Sequence, residues 1–203
     1  MPLITKVEVQ KKDETRVNIY VDDKFYVGMS MECAIKNHIK KGLEIDLNVL
    51  DELVLDDEKT VAMAKATKYM GGALKTTKQI RDYLRKKEFA PNTIDYVINK
   101  MLEYGYLDDE NYAKSFVLTY SNKYGKLKLK SMLKSKGVSD KIIDSMLDGE
   151  VELSDSMEAT ATKYMKNKEL NEKNIVKLAR FLMSRGYEFD KINGYIRELK
   201  GRE

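Results

Sequence analysis

Cysteine occurs once in the 203 residues, at Cys33, so no disulfide can form within the chain. Histidine also occurs once, at His38, and tryptophan is absent. Cys33 and His38 fall in one expected short helix but not on a shared face. No second thiol or imidazole exists to complete a zinc site or a nucleophile–base pair. No glycine-rich loop runs into Lys-Ser or Lys-Thr, so a phosphate-cradling P-loop is missing. Gly71-Gly72 ahead of a basic helix is a weak anion-site signal and reads better as a loop between helices. Enzyme chemistry has no visible seat, and neither cofactor nor metal is expected. No apolar run approaches the ~20 residues needed to cross a bilayer. The opening MPLITKVEVQKKDE lacks the basic-then-apolar layout of a signal peptide. These exclusions lead to the expectation of a soluble, cytoplasmic, non-enzymatic protein without a membrane partner.

Proline is nearly absent too, with only Pro2 and Pro91, so little interrupts a helix. What is abundant is charge, at 34% of residues, beside a 42% hydrophobic share that suffices for a core. The net charge is only +4, but it is unevenly placed. Residues 1–57 hold eight Lys/Arg against twelve Asp/Glu, residues 58–108 ten against six, and residues 109–148 eight against five. Basic charge is thus concentrated in the middle of the chain, and such a local field attracts polyanions or acidic protein surfaces.

Near the N-terminus the pattern has period two. Leu3, Thr5, Val7 and Val9 alternate with Ile4, Lys6, Glu8 and Gln10, and Val17, Ile19 and Val21 follow. Turn-forming Asp22-Asp23 precedes Phe25 and Val27. This predicts a small antiparallel meander over residues 3–28. A short helix capped at Ser30 should run to Ile39 and stop before Gly42, with Asp46 or Asn48 starting the next. Beyond that the chain reads as helical to its end.

The helical part repeats itself. Segments beginning at Ile80, Leu129 and Leu178 align at a constant offset, 129 − 80 = 49 and 178 − 129 = 49. Leu84 then matches Leu133 and Leu182, and Ile94 matches Ile143 and Ile192. A fixed period of this size marks stacked supersecondary units, which more often present an extended binding surface than an active-site pocket. Each unit reads as three helices, in the first unit 59–70, 77–87 and 91–104. Thr76 with Gln79 fits a capping box, and Pro91 suits a first helical turn. The expected division is a β-containing element over 1–57, then three-helix repeats over 58–108, 109–149 and 150–203. The acidic stretch 148–156 reads as a joint between the last two.

The second helix of each repeat is the candidate contact surface. The first carries Lys78, Arg81, Arg85 and Lys87 against a single acid, Asp82. The second carries Lys123, Lys126, Lys128, Lys130, Lys134 and Lys136 with no acid at all. In the third, Arg185 aligns with Lys87 and Lys136. Spacing by four places Arg81 with Arg85, and Lys126 with Lys130 and Lys134, on one face, where like charges repel. Two readings stand: a cation ladder facing phosphates or carboxylates, or a solvated helix face.

The string Tyr104–Ala113 contains paired aspartates, Asp108 and Asp109. They suit an N-cap and the positive end of the next helix better than a metal or acid–base site. Tyr106 and Tyr112 read as packing at the joint between repeats, and Leu107 and Ala113 belong to the same string. Tyr124-Gly125 opens the second basic helix. The tyrosine suits helix packing, with stacking on a base or guanidinium as the alternative.

Tyr106-Leu107-Asp108-Asp109-Glu110-Asn111-Tyr112-Ala113, Tyr124-Gly125-Lys126 and Leu133-Lys134-Ser135-Lys136-Gly137-Val138 occur in that order behind a short β-containing N-terminus. In this the whole chain resembles the bacterial RecX family, regulators of the RecA recombinase. The resemblance implies tandem three-helix repeats in a curved, elongated, mainly α array with the small antiparallel β-element at its N-terminus. It implies binding to the RecA–DNA filament, in its helical groove, and inhibition of ATP hydrolysis, strand exchange and coprotease function; the chain is expected to act as a monomer. Binding to single- or double-stranded DNA is implied as well, and no enzymatic activity. Where relatives often place arginine in the second basic helix, this chain has lysine, a point charge without the bidentate fork.

Overall fold

The computed structural model describes residues 1–149 and 154–201. Three antiparallel strands, β1 (Ile4–Gln10), β2 (Asp13–Val21) and β3 (Lys24–Ser30), pair in the order β1-β2-β3. Asp22 and Asp23 form the second hairpin turn with φ of 47° and 61°, the two left-handed positions that a type I′ turn requires. Ile4, Val17, Ile19, Val21 and Met29 are buried on one side of the sheet.

Helix α1 (Met31–Lys36) is capped by Ser30, whose Oγ accepts from the Cys33 N–H at 3.0 Å. It ends sooner than the expected Ile39. Asn37 Nδ2 donates back to the Cys33 carbonyl at 3.0 Å, and His38 turns left-handed at φ 54°. Gly42 therefore lies in the following turn, its N–H donating to the Ile4 carbonyl. Helix α2 (Leu47–Met70) starts at the Asp46 cap and contains neither glycine nor proline. The helix expected to begin at Lys59 is its second half. Nothing in the backbone chemistry stops it, and the charge shift near residue 57 is not a helix signal. Asp57, buried in α2, accepts from the Ser30 N–H at 2.7 Å and from the Ser30 hydroxyl. That pair ties the cap of α1 to α2.

The remaining helices are α3 (Thr77–Lys86), α4 (Pro91–Glu103), α5 (Asp109–Tyr120), α6 (Lys126–Ser135), α7 (Asp140–Gly149), α8 (Ser154–Met165), α9 (Glu172–Ser184) and α10 (Phe189–Lys200). The acidic joint expected over 148–156 includes 150–153, which lie outside the described residues. Thr76 and Gln79 form both arms of the capping box, at 3.2 and 3.0 Å.

The second helix of every repeat ends in the same Schellman motif. Phe89, Val138 and Tyr187 donate their N–H to Leu84, Leu133 and Leu182, and Glu88, Gly137 and Gly186 donate to Arg85, Lys134 and Met183. The three leucines that accept are fully buried.

By contact the chain divides into two compact units, Met1–Ala73 with Ile80–Tyr106, and Leu74–Gln79 with Leu107–Glu203. In the first, the sheet, α1 and the start of α2 share one core, and α2 packs on α4. The second contains two cores, around Ala113, Val117, Leu129, Leu133 and Ile143, and around Ala161, Leu178, Leu182 and Ile192.

Candidate interaction surface

Helices α3 and α6 each bury one apolar stripe, Ile80 with Leu84 and Leu129 with Leu133, and turn their cations away from it. The cations do not all reach solvent unpaired. Arg81 meets Asp95 at 2.5 Å, and Lys130 meets Asp144 at 2.5 Å. Both pairs span the same separation of 14 residues and join the second helix of a repeat to its third. The 49-residue offset that matches Arg81 with Lys130 also matches the two aspartates. That signal lies in the sequence, in its acids rather than in its cations. In the third repeat the same positions are Ala179 and Asn193, and the pair is gone. Arg85 pairs with Asp82 at 3.2 Å, and Lys134 with Asp140 at 2.9 Å. All four pairs are solvent-accessible, so each cation is partly neutralised but weakly held.

Lys87, Lys136 and Arg185 follow the last turn of α3, α6 and α9, where positive charge meets the negative end of the helix. Lys87 lies 5.9 Å from the Tyr83 ring centre. The Arg185 guanidinium lies 5.4 Å from the Tyr124 ring and 5.1 Å from Phe181. Tyr124 is half-buried against the α5–α7 core, so it combines packing with guanidinium stacking. Lys123 and Lys128 are exposed. Among the described residues, no carboxylate pairs with Lys87, Lys123, Lys128, Lys136 or Arg185. Lys78 and Lys126 both have interacting partners.

Within the second unit the repeats join through backbone. The Thr76 hydroxyl donates to the Lys136 carbonyl at 2.6 Å. One period later the Gly125 N–H donates to the Arg185 carbonyl at 2.9 Å, and the Leu127 N–H to the Gly186 carbonyl at 3.1 Å. A side chain at Gly125 would sit 2.4 Å from the Gly186 oxygen. One at Gly137 would strike the Lys78 stem at 2.3 Å. The candidate cations therefore flank seams that require glycine.

The motif from Tyr106 to Ala113 is structural at most of its positions. Asp108 caps α5, accepting from Asn111 N–H at 2.9 Å, and Leu107 and Ala113 are buried. Asp109 Oδ1 accepts from the Thr77 N–H at 2.8 Å, so it completes the start of α3 from 32 residues away. Tyr112 is half-buried beside Phe116, and burial pushes its hydroxyl pKa up. Tyr106 remains 53% exposed, with its edge toward the Tyr104 ring. Near α1, burial and the Asp57 charge push the Cys33 thiol up. Among the described residues no group of three metal-ligating side chains forms, and no helix is long and apolar enough to cross a membrane.

Three family models match consecutive parts of the chain. Residues 2–46 match the regulatory protein RecX N-terminal domain, 62–101 the first RecX three-helix domain and 108–147 the second. Proteins named "Regulatory protein RecX" are similar over nearly the full length. The one from Clostridium perfringens strain 13 is 35% identical, covering 100% of this chain and 99% of that one. The one from Clostridium acetobutylicum is 33% identical, covering 97% and 95%. The one from Bacillus subtilis is 30% identical, covering 98% and 78%. A solved structure described as regulatory protein RecX shares the fold at TM-score 0.68 and 22% identity, covering 98% of this chain and 100% of that one. A RecX structure from Lactobacillus salivarius aligns at TM-score 0.65 and 26% identity over 71% of this chain and 98% of its own.

Proposed function

The chain belongs to the RecX family, and from that premise we propose that it is a non-enzymatic regulator of the RecA recombinase. In this reading it binds the RecA–DNA filament in the helical groove and inhibits ATP hydrolysis, strand exchange and coprotease activity. The observation that carries the reading is the run of family matches from residue 2 to residue 147, with full-length relatives beyond it. A tandem of similar repeats suits a polymer of identical subunits. Once one repeat is bound, the next contacts its own subunit at high effective concentration.

The contact we propose runs over the second helices of the repeats. Lys87, Lys123, Lys128 and Lys136 are its leading members, since none has a carboxylate partner among the described residues. Arg81, Arg85, Lys130 and Lys134 contribute less, because Asp95, Asp82, Asp144 and Asp140 already neutralise them in part. Lys78 and Lys126 contribute from the seam, and Arg185 from its ring stack. Direct binding to DNA is a second reading, favoured by the lysines of 123–136 with no acid among them.

The test is the single-stranded-DNA-dependent ATPase of RecA, titrated with this protein from far below to above the RecA concentration. Inhibition well below equimolar supports a filament regulator. No effect in excess removes the reading. The combined variant K87E/K123E/K128E should weaken inhibition at least tenfold while far-UV circular dichroism stays unchanged. Full inhibition by that variant removes these lysines from the contact.

A further inference from the structure

A cleft of about 320 Å³ opens between α8, α9 and the turn ahead of α6. Lys123 and Asn122 border it from the turn, Lys163, Tyr164 and Thr160 from α8, and Phe181 and Arg185 from α9. Three cations from three separate segments thus converge on one concavity that contains no acidic lining residue. Among the described residues, none of the three is paired to a carboxylate. A cleft lined by cations alone carries a positive field that attracts an anion.

The walls are as specific as the charges. Tyr164 and Phe181 stack with ring centres 4.4 Å apart and planes 18° apart. Arg185 continues the stack beside Phe181, and Lys168 lies 3.1 Å from the Tyr164 ring centre. The Thr160 hydroxyl is within 3.3 Å of the Tyr187 hydroxyl, which holds the rim in place. A volume of this size suits one nucleotide-sized group.

The rest of the molecule provides a control. Buried Ala113 of α5 and Ala161 of α8 align their helices at an offset of 48, which matches Lys163 with Ser115 and Tyr164 with Phe116. The 49-residue offset matches Lys123 with Leu74, Phe181 with Met132 and Arg185 with Lys136. One repeat earlier, the same positions therefore hold one cation instead of three. Packing reuse explains Tyr164 and Arg185, but it does not explain Lys123 or Lys163.

We propose that this cleft is a nucleotide-phosphate subsite. A phosphate would be held by Lys123, Lys163 and Arg185, with its sugar and base lying along the Phe181–Tyr164 wall. The phosphate can come from a free mononucleotide or from one residue of a single strand. This subsite rests on the nucleic-acid reading and deepens it by naming one place and one chemical group; it shares Lys123 and Arg185 with the proposed RecA contact, while Lys163 belongs to the subsite alone.

The experiment uses the full chain and two probes, dTMP and a fluorescent (dT)8 oligonucleotide. Binding is read by titration at low salt, with the resonances of Phe181 and Tyr164 followed by NMR. Wild type should bind (dT)8, and K163E and K123E should each weaken it about tenfold. K163R should restore it, because it keeps the charge. Both lysines are exposed, so both reversals leave the cores intact. Shifts of the ring resonances with dTMP alone identify a free-nucleotide source, and shifts with (dT)8 only identify the strand. If (dT)8 binds but K163E and K123E bind equally well, the subsite is refuted and only the general nucleic-acid reading survives. If neither probe binds, both fall. K163E should still inhibit RecA, so failure of the regulatory reading appears separately, as wild type without effect on the ATPase.

Discussion

Position 88 holds glutamate where the other two repeats hold glycine, and all three residues are left-handed, at φ 63°, 86° and 83°. A non-glycine residue there costs roughly 1 kcal/mol. Gly137 and Gly186 cannot be replaced in turn, because a Cβ at Gly186 would lie 2.3 Å from the Lys128 nitrogen. Glu88 is exposed. E88G should therefore raise the thermal midpoint by about 1–3 °C. G186A should cost on the order of 2 kcal/mol in a denaturant titration. Thr93 is fully buried, and its hydroxyl is without a partner among the described residues. T93V keeps the shape and should gain about 1 kcal/mol. Cys33 offers a pH test. Its thiol titrates above the ordinary range, so the reactive thiolate is scarcer in the folded chain at any pH below its pKa. At pH 8 alkylation should be slower than for a free thiol, and it should accelerate in denaturant. Equal rates in both conditions would contradict the burial.

At the scale of elements, leucine burial outweighs the repeated ion pairs. The Lys130–Asp144 pair has side chains 36% and 47% exposed, so a double-mutant cycle should return at most about 1 kcal/mol, shrinking with salt. L133A removes a fully buried side chain at the Schellman contact and should cost about 2–5 kcal/mol. The third repeat, with Ala179 and Asn193 in place of the pair, shows that the motif does not depend on it. Helix α2 carries a related lesson. Its first half packs Leu50, Leu53 and Val54 into the sheet core, and farther along it buries Ala62 and Ala66. One uninterrupted helix serves both places, which a charge-based boundary at residue 57 could not reveal.

For the whole molecule, salt separates the two binding readings. Binding dominated by phosphate contacts should fall log-linearly between 50 and 200 mM salt, with a slope near −0.7 per contacted phosphate on a single strand. RecA inhibition should fall less steeply if apolar contacts share the interface. Parallel titrations of oligonucleotide binding and ATPase inhibition over that range decide which reading leads.

The sequence by itself determined the strands, the capping box, the period and the family, because periodicity, caps and spacing are local or regular. The leucines of the second helices and the glycines after them were legible for the same reason. Tertiary structure decided which cations have a carboxylate beside them. Arg81 and Lys130 look the same as Lys87 and Lys128 in a string of letters. Only folding brings Asp95 and Asp144 onto the first two, from 14 residues away. It likewise brought Asp109 to Thr77 and gathered Lys123, Lys163 and Arg185 around one cleft. Coulomb interactions depend on distance in space, and separation along the chain fixes that distance only within a single helix or strand.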